Sequence, residues 1–428
     1  MKQIIKNVII INPYEEPVKG FVVLDGDKID RVVSGEPEER ADSTIDGEEN
    51  WLIPGFVNTH GHAGSSLLRG AGDDMPLDTW LKTIMWPNEK RFQKNTVEAA
   101  GDLALVEMLK SGTTTFLDMY HLNMPEFAQK IADTGFKAVL GRGMIGLGSE
   151  DEKKDKLKEA ENLIKNWHNQ AEGRIVTAVM PHAPYTCPPD FLTKSADLAA
   201  EYGVLFHTHC AETAKETEQH IDKYGLHPVE HLHQLEIFKI NVLLAHAVHL
   251  ETEHIDLLKK CNVAVSHNPK SNLKLGSGIA PVVQMKQAGI NVTIGTDSTA
   301  SNNTLDMVEE MRMSALIHKG LHEDPASSSA ADVFASATIG GAEGLNIPGT
   351  GKIAAGYKAD FCLVNTKAAH LTPNLEERAV SHIVYAMKST DIKDVWIHGK
   401  HMMHNRELLT LDEEKVLFEA DKQAQKLL

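Results

Sequence analysis

Two histidines that are two residues apart, His60 and His62, are the first side chains in the sequence with a spacing suited to chemistry. They lie in the stretch WLIPGFVNTHGHAG, where an apolar run passes through Pro54 and Gly55 before reaching them. Residues two apart in a strand point to the same face, so both imidazoles would leave the strand end side by side. The pair is therefore either half of a metal site or two solvated loop histidines.

Further titratable side chains follow other apolar, strand-like runs, and they are His182, His207, His209, Glu212, His246 and Asp297. Two histidines from the first run, one from the segment HTHCAE and the aspartate would form a zinc site with an open position for water. The spacing leaves open whether His207 or His209 is the ligand, because both point to the same face. No lysine ends the runs before His182 and His209, so one metal ion is expected rather than two bridged by a carboxylated lysine.

This set of residues predicts a hydrolytic reaction. A bound zinc ion lowers the pKa of water to about 7, and attack on an amidine-like carbon then needs a base and an acid. Asp297 and Glu212 suit those roles, and each proton transfer is typically worth about 10²–10⁴-fold in rate. His246 could hydrogen-bond the nucleophile.

The elements that must position these residues alternate between short apolar strands and amphipathic helices. About eight such units favour a (β/α)8 TIM barrel over an open doubly wound sheet, and the catalytic residues of such a barrel lie at the carboxyl ends of its strands. The strands are predicted at Leu52 to Thr59, Thr113 to Met119, Lys137 to Arg142, Arg174 to Met180, Val204 to His209, Val242 to His246, Val263 to Ser266 and Val292 to Gly295. No GxGxxG follows a strand, which removes the main signal for a dinucleotide-binding fold.

Both chain ends are rich in short, strand-like runs and lack the strand–helix alternation of the middle of the chain. Residues 1–54 and 351–428 are predicted to form one small β-sandwich domain with a closing helix, and residues 55–350 the catalytic barrel. Within the terminal parts, strands are expected at Ile4 to Ile11, Gly351 to Ile353 and Asp360 to Val364, among others. A single long helix is expected from Lys215 to Leu235 inside the barrel.

The amino-acid composition and charge limit the kinds of molecule that the protein is expected to bind and where it is expected to be found. The chain has 428 residues and a formal net charge of -17, which argues against DNA or RNA as a partner. Four widely spaced cysteines form no CxxC pair, so a reducing cytoplasm is the expected location. The apolar run near the amino terminus is too short for a membrane span, and no membrane association is expected. The oligomeric state is left open, a homo-oligomer included.

Several motifs together resemble the amidohydrolase superfamily, and within it the 5-methylthioadenosine/S-adenosylhomocysteine deaminases. The likeness covers nearly the whole chain, and its motifs are PGFVNTHGH, LLRG, the segment from Trp80 to Glu89, GTTTFLDMY, PHAPYTC, HTHCAET, LLAHAVHL, HNPKSNLKLGSG, GTDSTASNNTLDM and GKIAAGYKADFCLV. The resemblance implies zinc-dependent hydrolytic deamination of an adenine nucleoside, with release of ammonia. The metal could also be another divalent ion, such as Fe²⁺, Mn²⁺ or Ni²⁺.

The resemblance also implies a role for each site residue. The metal ligands would be His60, His62, His209 and Asp297; the proton shuttle Glu212; the residue that orients the attacking water His246; and the substrate contacts Glu89, Arg142, His182, Glu212 and Ser301. Glu89 would hold the ribose hydroxyls, and Arg142 would approach the amino-acid carboxylate of S-adenosylhomocysteine. One departure concerns the loop after Arg142, where the family often has a second arginine and this chain has only lysines.

Other functions are compatible with the same residues. The same site could deaminate guanine or dechlorinate an s-triazine, as related folds do, and the pocket loops would decide between these substrates. A catalytically inactive barrel that serves as a scaffold is disfavoured, since every proposed ligand, acid and base is present. A zinc site of the cytidine-deaminase type is excluded because the HxE…PCxxC signature is absent.

Overall fold

The computed structural model describes residues 2–38 and 40–427, and within them two separate sheets of eight strands each. The strands, in chain order, are β1 Lys2–Ile10, β2 Val18–Asp25, β3 Lys28–Ser34, β4 Ser43–Pro54, β5 Phe56–Asn58, β6 Thr113–Tyr120, β7 Lys137–Met144, β8 Ile175–Pro181, β9 Leu205–Cys210, β10 Val242–His246, β11 Ala264–His267, β12 Val292–Ile294, β13 Phe361–Val364, β14 Ile392–Ile397, β15 Lys400–His404 and β16 Glu407–Leu408.

The helices surround the sheet formed by β5 to β12 or join it to the other sheet. They are α1 Leu77–Trp80, α2 Trp86–Glu89, α3 Lys94–Lys110, α4 Met124–Thr134, α5 Glu150–Trp167, α6 Gln170–Gly173, α7 Pro189–Tyr202, α8 Ala214–Tyr224, α9 Pro228–Gln234, α10 Thr252–Lys260, α11 Pro269–Lys274, α12 Val282–Gln287, α13 Thr299–Asn302, α14 Met307–His322, α15 Ala330–Ser336, α16 Ile339–Gly344, α17 Ala379–Tyr385 and α18 Glu413–Gln425. A π-helical turn, Leu81–Met85, joins α1 to α2. Among the described residues, no helix combines the length and the apolar character needed to cross a bilayer.

Strands β5 to β12 form the predicted barrel. They lie side by side in chain order and every neighbouring pair is parallel. The last strand meets the first through two backbone bonds, from Thr59 N to Ile294 O at 3.1 Å and from Asp297 N to His60 O at 2.9 Å. The sequence-based expectation of a (β/α)8 barrel is confirmed.

The barrel interior is a packed core. Val57, Leu117, Val139 and Leu243 are fully buried there, together with Leu345, which follows α16. Because side chains fill the barrel, a ligand can be held only where the loops widen beyond the strand ends. The carboxyl ends of the strands are therefore the place for a site.

The other sheet combines both chain ends, as expected. Its strand order is β16-β15-β14-β13-β4-β1-β2-β3, so the carboxyl-terminal strands join the amino-terminal ones along the β13–β4 edge. Trp51, Trp396 and Phe361 are fully buried in it. The boundaries of the two domains at residues 54 and 351 stay a prediction.

Three details of the elements differ from the expectation. Leu52 to Pro54 pair with β13 in the terminal sheet, so the barrel strand begins only at Phe56. Residues 351–353 form no strand, because the backbone of Ile353 is held on both sides by the Asn12 side chain at 2.9 and 3.0 Å. The long helix expected after residue 214 ends at Gly225, whose φ of +72° stops α8 before α9 begins.

A buried ion pair joins the barrel to the terminal sheet. Lys137 Nζ at the start of β7 lies 3.0 Å from Asp360 Oδ2, and both side chains are at most 2% exposed. The lysine also donates to Thr350 Oγ1, and the aspartate accepts the backbone N–H of His398 at 2.7 Å. Buried charges are tolerated when they are paired and hydrogen-bonded in this way.

Candidate active site

The carboxyl ends of the barrel strands open into a cavity of about 330 Å³. Nine of the ten residues predicted from the sequence line it, and His60 lies beneath it against His62 and Asp297. Its size falls within the roughly 300–1,000 Å³ typical of small-molecule sites. The structure thus brings all ten predicted residues to one place.

Three histidines and an aspartate meet at the floor of the cavity. The Nε2 atoms of His60 and His62 lie 3.5 and 3.2 Å from Asp297 Oδ1. The His209 ring stands 4.8 Å from that of His60 and 5.4 Å from that of His62 between ring centroids. One ligand atom from each histidine lies within 4.8 Å of the others. These groups come from β5, β9 and β12, at the ends of strands that are distant in sequence.

Hydrogen bonds on the outer nitrogens fix the tautomer of these histidines. Nδ1 of His62 donates to Met119 O at 2.6 Å, and Nδ1 of His209 donates to His182 O at 2.6 Å. Each ring therefore carries its proton on Nδ1 and leaves a lone pair on Nε2. His60 Nε2 is fully buried and has no hydrogen-bond partner within residues 2–38 and 40–427. A buried unsatisfied nitrogen beside two more lone pairs and a carboxylate fits a metal ion.

His207, the alternative ligand left open by spacing, lies behind His60 instead. Its Nδ1 donates to Leu243 O at 2.9 Å, so its Nε2 carries a lone pair. That lone pair accepts the Nδ1–H of His60 at 2.8 Å. His207 therefore orients His60 and faces away from the cavity.

The Asp297 carboxylate is held from several sides. Ser271 and Ser301 hydroxyls donate to its Oδ2 at 2.5 and 2.8 Å, and the Ser298 N–H donates to its Oδ1 at 2.8 Å. Burial alone would raise the pKa of Asp297, but the adjacent His60 and His62 imidazoles bring it well below the usual value. The carboxylate is therefore ionised and fixed in one orientation.

Glu212 and His246 flank this cluster. Glu212 Oε2 lies 3.8 Å from His246 Nε2, and His246 Nδ1 faces Asn272 Oδ1 at 2.8 Å. Burial is the main cause that raises the pKa of Glu212. Its backbone N–H donates to the Glu216 carboxylate at 2.9 Å, which fixes the start of α8. A buried carboxyl with a raised pKa can hold a proton and release it within one reaction.

The cavity wall carries three more charged side chains. The Tyr120 hydroxyl donates to Glu89 Oε1 at 3.0 Å, and burial raises the pKa of Glu89 to about 7. Arg142 Nε donates to Glu159 Oε2 at 2.7 Å. Lys156 of α5 also lines the cavity and donates to the carbonyls of residues 145 and 147, which follow Arg142 in the chain. The wall thus carries one acidic and two cationic side chains.

The two remaining predicted residues have partners within the protein. His182 Nδ1 lies 2.9 Å from Thr186 Oγ1, and burial lowers the pKa of His182 to about 3, so the ring is neutral. The Ser301 hydroxyl is directed at the Asp297 carboxylate, although the residue also borders the cavity. The structure places both residues at the site, and their contacts with a substrate stay a prediction.

The site also contains several residues that were not predicted from the sequence. Asp118, Tyr120 and His121 follow the apolar part of β6, and the rule that polar residues at strand ends form the site would have found them. Asp118 accepts the backbone N–H of Ala63 at 2.6 Å and so fixes the turn after His62. Tyr120 and His121 line the cavity directly. Lys156 gave no comparable signal, because it lies within a helix of many charges.

A parallel barrel with imidazoles and a carboxylate at its strand ends defines a hydrolase of the metal-dependent class. The amidohydrolase family model matches residues 51–402. A 5-methylthioadenosine/S-adenosylhomocysteine deaminase from Halalkalibacterium halodurans is 47% identical over 435 residues, which cover 100% of this chain and 99% of the relative. The enzyme of that name from Shouchella clausii is 44% identical, with 100% of both chains covered. The chain belongs to the amidohydrolase family, among the 5-methylthioadenosine/S-adenosylhomocysteine deaminases.

Solved structures agree with this assignment. An adenosine deaminase from Xanthomonas campestris with bound zinc superposes with a TM-score of 0.92 at 30% identity, covering 99% of this chain and 98% of that one. Atrazine chlorohydrolase from Arthrobacter aurescens TC1, complexed with zinc, has a TM-score of 0.91 at 23% identity, covering 99% and 100%. At that lower identity the second likeness concerns the fold alone.

Proposed function

We propose that this chain is a zinc-dependent aminohydrolase that converts adenine nucleosides to their inosine analogues and releases ammonia. Its substrates would be 5-methylthioadenosine and S-adenosylhomocysteine, the compounds named for its relatives, with adenosine as a third candidate. The observation that carries the proposal is the buried Nε2 of His60, which has no hydrogen-bond partner among the described residues and lies beneath a cavity that Glu212 lines. It supports both a metal ion and an adjacent proton carrier.

One divalent ion would be held by Nε2 of His60, His62 and His209 and by the Asp297 carboxylate. Imidazole and carboxylate ligands suit zinc, and the bound zinc of the Xanthomonas campestris neighbour is consistent with that choice. When bound, the ion supplies a nucleophilic hydroxide at neutral pH. Fe²⁺, Mn²⁺ or Ni²⁺ would accept the same donors, and metal analysis distinguishes them.

Glu212 would transfer a proton from the attacking water to the substrate. Its buried carboxyl group takes a proton from the attacking water and delivers it to a ring nitrogen of the purine, which makes the amidine carbon more electrophilic. His246 Nε2, which lies 3.8 Å from the carboxylate, would hydrogen-bond the oxygen nucleophile. Asp297 would accept the second proton and pass it to the leaving ammonia. Each such transfer is worth about 10²–10⁴-fold.

Residues of the cavity wall would contact the substrate. Glu89 would accept hydrogen bonds from the ribose hydroxyls, with Tyr120 keeping its carboxylate in place. His182, neutral and packed against His209 with ring centroids 4.8 Å apart, would contact the nucleoside. Ser301 would border the base while it orients Asp297. Shape and hydrogen bonds, rather than charge, would thus select the adenosine part.

The two cationic residues of the wall, Arg142 and Lys156, would decide the preference between the two named substrates. S-adenosylhomocysteine carries an amino-acid carboxylate that 5-methylthioadenosine lacks. Arg142 is part of the cavity wall, and a guanidinium suits a carboxylate. The family's second arginine is absent here, but Lys156 also lines the cavity, and its ammonium bonds the carbonyls of residues 145 and 147, which follow Arg142 in the chain. We propose that Arg142 and Lys156 together receive the carboxylate.

The direct test is an ammonia-release screen with purified enzyme against adenosine, 5-methylthioadenosine, S-adenosylhomocysteine, guanine and an s-triazine. The nucleosides should release ammonia, and guanine and the triazine should give no product. Asp297→Asn should abolish turnover and retain the fold, as judged by circular dichroism. Turnover on guanine alone, or wild-type rates in the asparagine variant, would contradict the proposed function.

A further inference from the structure

A second group of metal-ligand side chains lies in the terminal sheet, on the hairpin formed by β14 and β15. Asp394 Oδ1 lies 3.1 Å from His401 Nε2 and 2.5 Å from His404 Nδ1. The three ligand atoms all lie within 4.8 Å of one another. None of these residues takes part in the barrel site or in the proposed deamination.

An irregularity in the hairpin brings the two histidines together. Residues three apart in a regular strand point to opposite faces, so His401 and His404 would normally diverge. Here β15 pairs through Met403 with Val395 and through His401 with Trp396, so one extra residue lies between the paired positions. A bulge of this kind returns the later residue to the first face. Both histidines therefore lie on the face that carries the Asp394 side chain.

The group is rigid on one side and open on the other. Asp394 is 2% exposed, and its Oδ1 also accepts the backbone N–H of Asn405 at 3.2 Å. The His401 ring stacks on the buried Trp396 ring, with centroids 4.2 Å apart and planes within 6°. The His404 side chain is 52% exposed. An ion from solvent can therefore reach fixed ligands without opening the core.

We propose that Asp394, His401 and His404 form a second divalent-metal site that accepts zinc and cross-links β14 to β15. Two imidazole nitrogens and a carboxylate are a zinc donor set, and solvent would complete the coordination. On binding, the ion replaces the imidazole protons that face the carboxylate. Each displaced proton passes to the other nitrogen of the same ring, or to solvent where that nitrogen already carries a proton. An ion bound only by the folded hairpin stabilises the folded chain.

The test compares the wild-type enzyme with the variant His401→Asn/His404→Asn, in which the amides can hydrogen-bond Asp394 but give no imidazole ligand. Both proteins are equilibrated with micromolar Zn²⁺, dialysed and analysed for zinc. The wild type should retain about one more zinc ion per chain than the variant. Added Zn²⁺ should raise the midpoint of thermal unfolding in the wild type only. Deamination rates should be the same in both proteins.

His370→Asn is the matched control, because His370 forms a histidine–aspartate pair with Asp391 at 2.7 Å that belongs to no group of three metal ligands among the described residues. It should leave the zinc content unchanged. The exposed single variant His404→Asn replaces the double variant if the latter does not fold. Equal zinc content and equal thermal response in the wild type and the His404 variants would overturn the proposal. So would the same loss of zinc in the His370 control.

Discussion

Replacing His207 by leucine should weaken metal binding, although His207 does not face the cavity. In the barrel interior, its Nε2 accepts the Nδ1–H of His60 at 2.8 Å and its Nδ1 donates to Leu243 O at 2.9 Å. Leucine cannot accept a hydrogen bond, so His60 would keep a buried N–H without a partner. The His60 ring would then be free to rotate or to adopt the other tautomer, with its proton on Nε2.

The size of this effect follows from the burial of the pair, since both imidazoles are 0% exposed. A buried donor that loses its partner costs about 1–3 kcal/mol. Because 1.4 kcal/mol corresponds to about a tenfold change in an equilibrium constant, metal affinity should fall about 10- to 100-fold. Changes to the hydrogen-bond partners of metal-ligating histidines typically have effects of about that size.

The assay is metal competition with a chelator of known affinity, followed by turnover with excess metal. His207→Leu should lose its metal at a lower chelator concentration than the wild type, and excess metal should recover much of its activity. His207→Gln is the conservative variant, because its amide oxygen can accept the His60 N–H. It should retain an affinity between those of the wild type and the leucine variant.

His220→Leu provides a control for the loss of a buried imidazole pair. His220 Nε2 lies 2.8 Å from His231 Nδ1 in a cluster outside the site. This variant should bind metal like the wild type even if its stability falls. If His207→Leu and His220→Leu hold metal equally well, His207 does not orient His60 and the tautomer argument is refuted.

Three further changes test other parts of the structure. Burial raises the pKa of Glu89 to about 7, so kcat/KM for ribose-bearing substrates should fall as the pH is lowered through 7, and Glu89→Gln should flatten that profile. Lys137→Met leaves the Asp360 carboxylate buried and unpaired, and should lower the free energy of unfolding by about 3–5 kcal/mol in urea denaturation. Arg142→Met and Lys156→Met should each raise the KM for S-adenosylhomocysteine about tenfold or more in steady-state kinetics. Equal effects on 5-methylthioadenosine would contradict their carboxylate role.

The barrel could be predicted from sequence because each of its strands and helices has a local signal. The short runs near Thr113, Lys137 and Val242 are apolar and β-branched, and helices with one apolar face separate them. Alternation of that kind leaves few topologies open, since parallel strands need a helix-length crossover. The residues at which each strand or helix begins and ends were harder to predict. Whether Leu52 to Pro54 belong to the barrel or to the other sheet depends on their pairing with β13, which is about 310 residues away.

The position of the site could be predicted for a similar reason, but its supporting bonds could not. His60, His209 and Asp297 follow apolar runs, and the barrel brings the ends of those runs together. Which of His207 and His209 faces the cavity depends on a hydrogen bond to His60, 147 residues earlier in the chain. Lys156 lies in the second turn of α5 and contacts the loop before that helix, and no periodic pattern marks such a contact.

The backbone at the strand ends links the function of this barrel to its stability. His246, Asp297 and Ala211 have φ values of +73°, +62° and +50°, a region that L-residues other than glycine rarely adopt. Such conformations cost about 1–3 kcal/mol each. Glycine would remove the strain at His246 and Asp297, but it would also remove the imidazole and the carboxylate on which the proposed chemistry depends. Ala211 directs Glu212 back towards the His246 ring. The packed barrel core offsets this strain, so the ends of three strands, β9, β10 and β12, can direct side chains to one site.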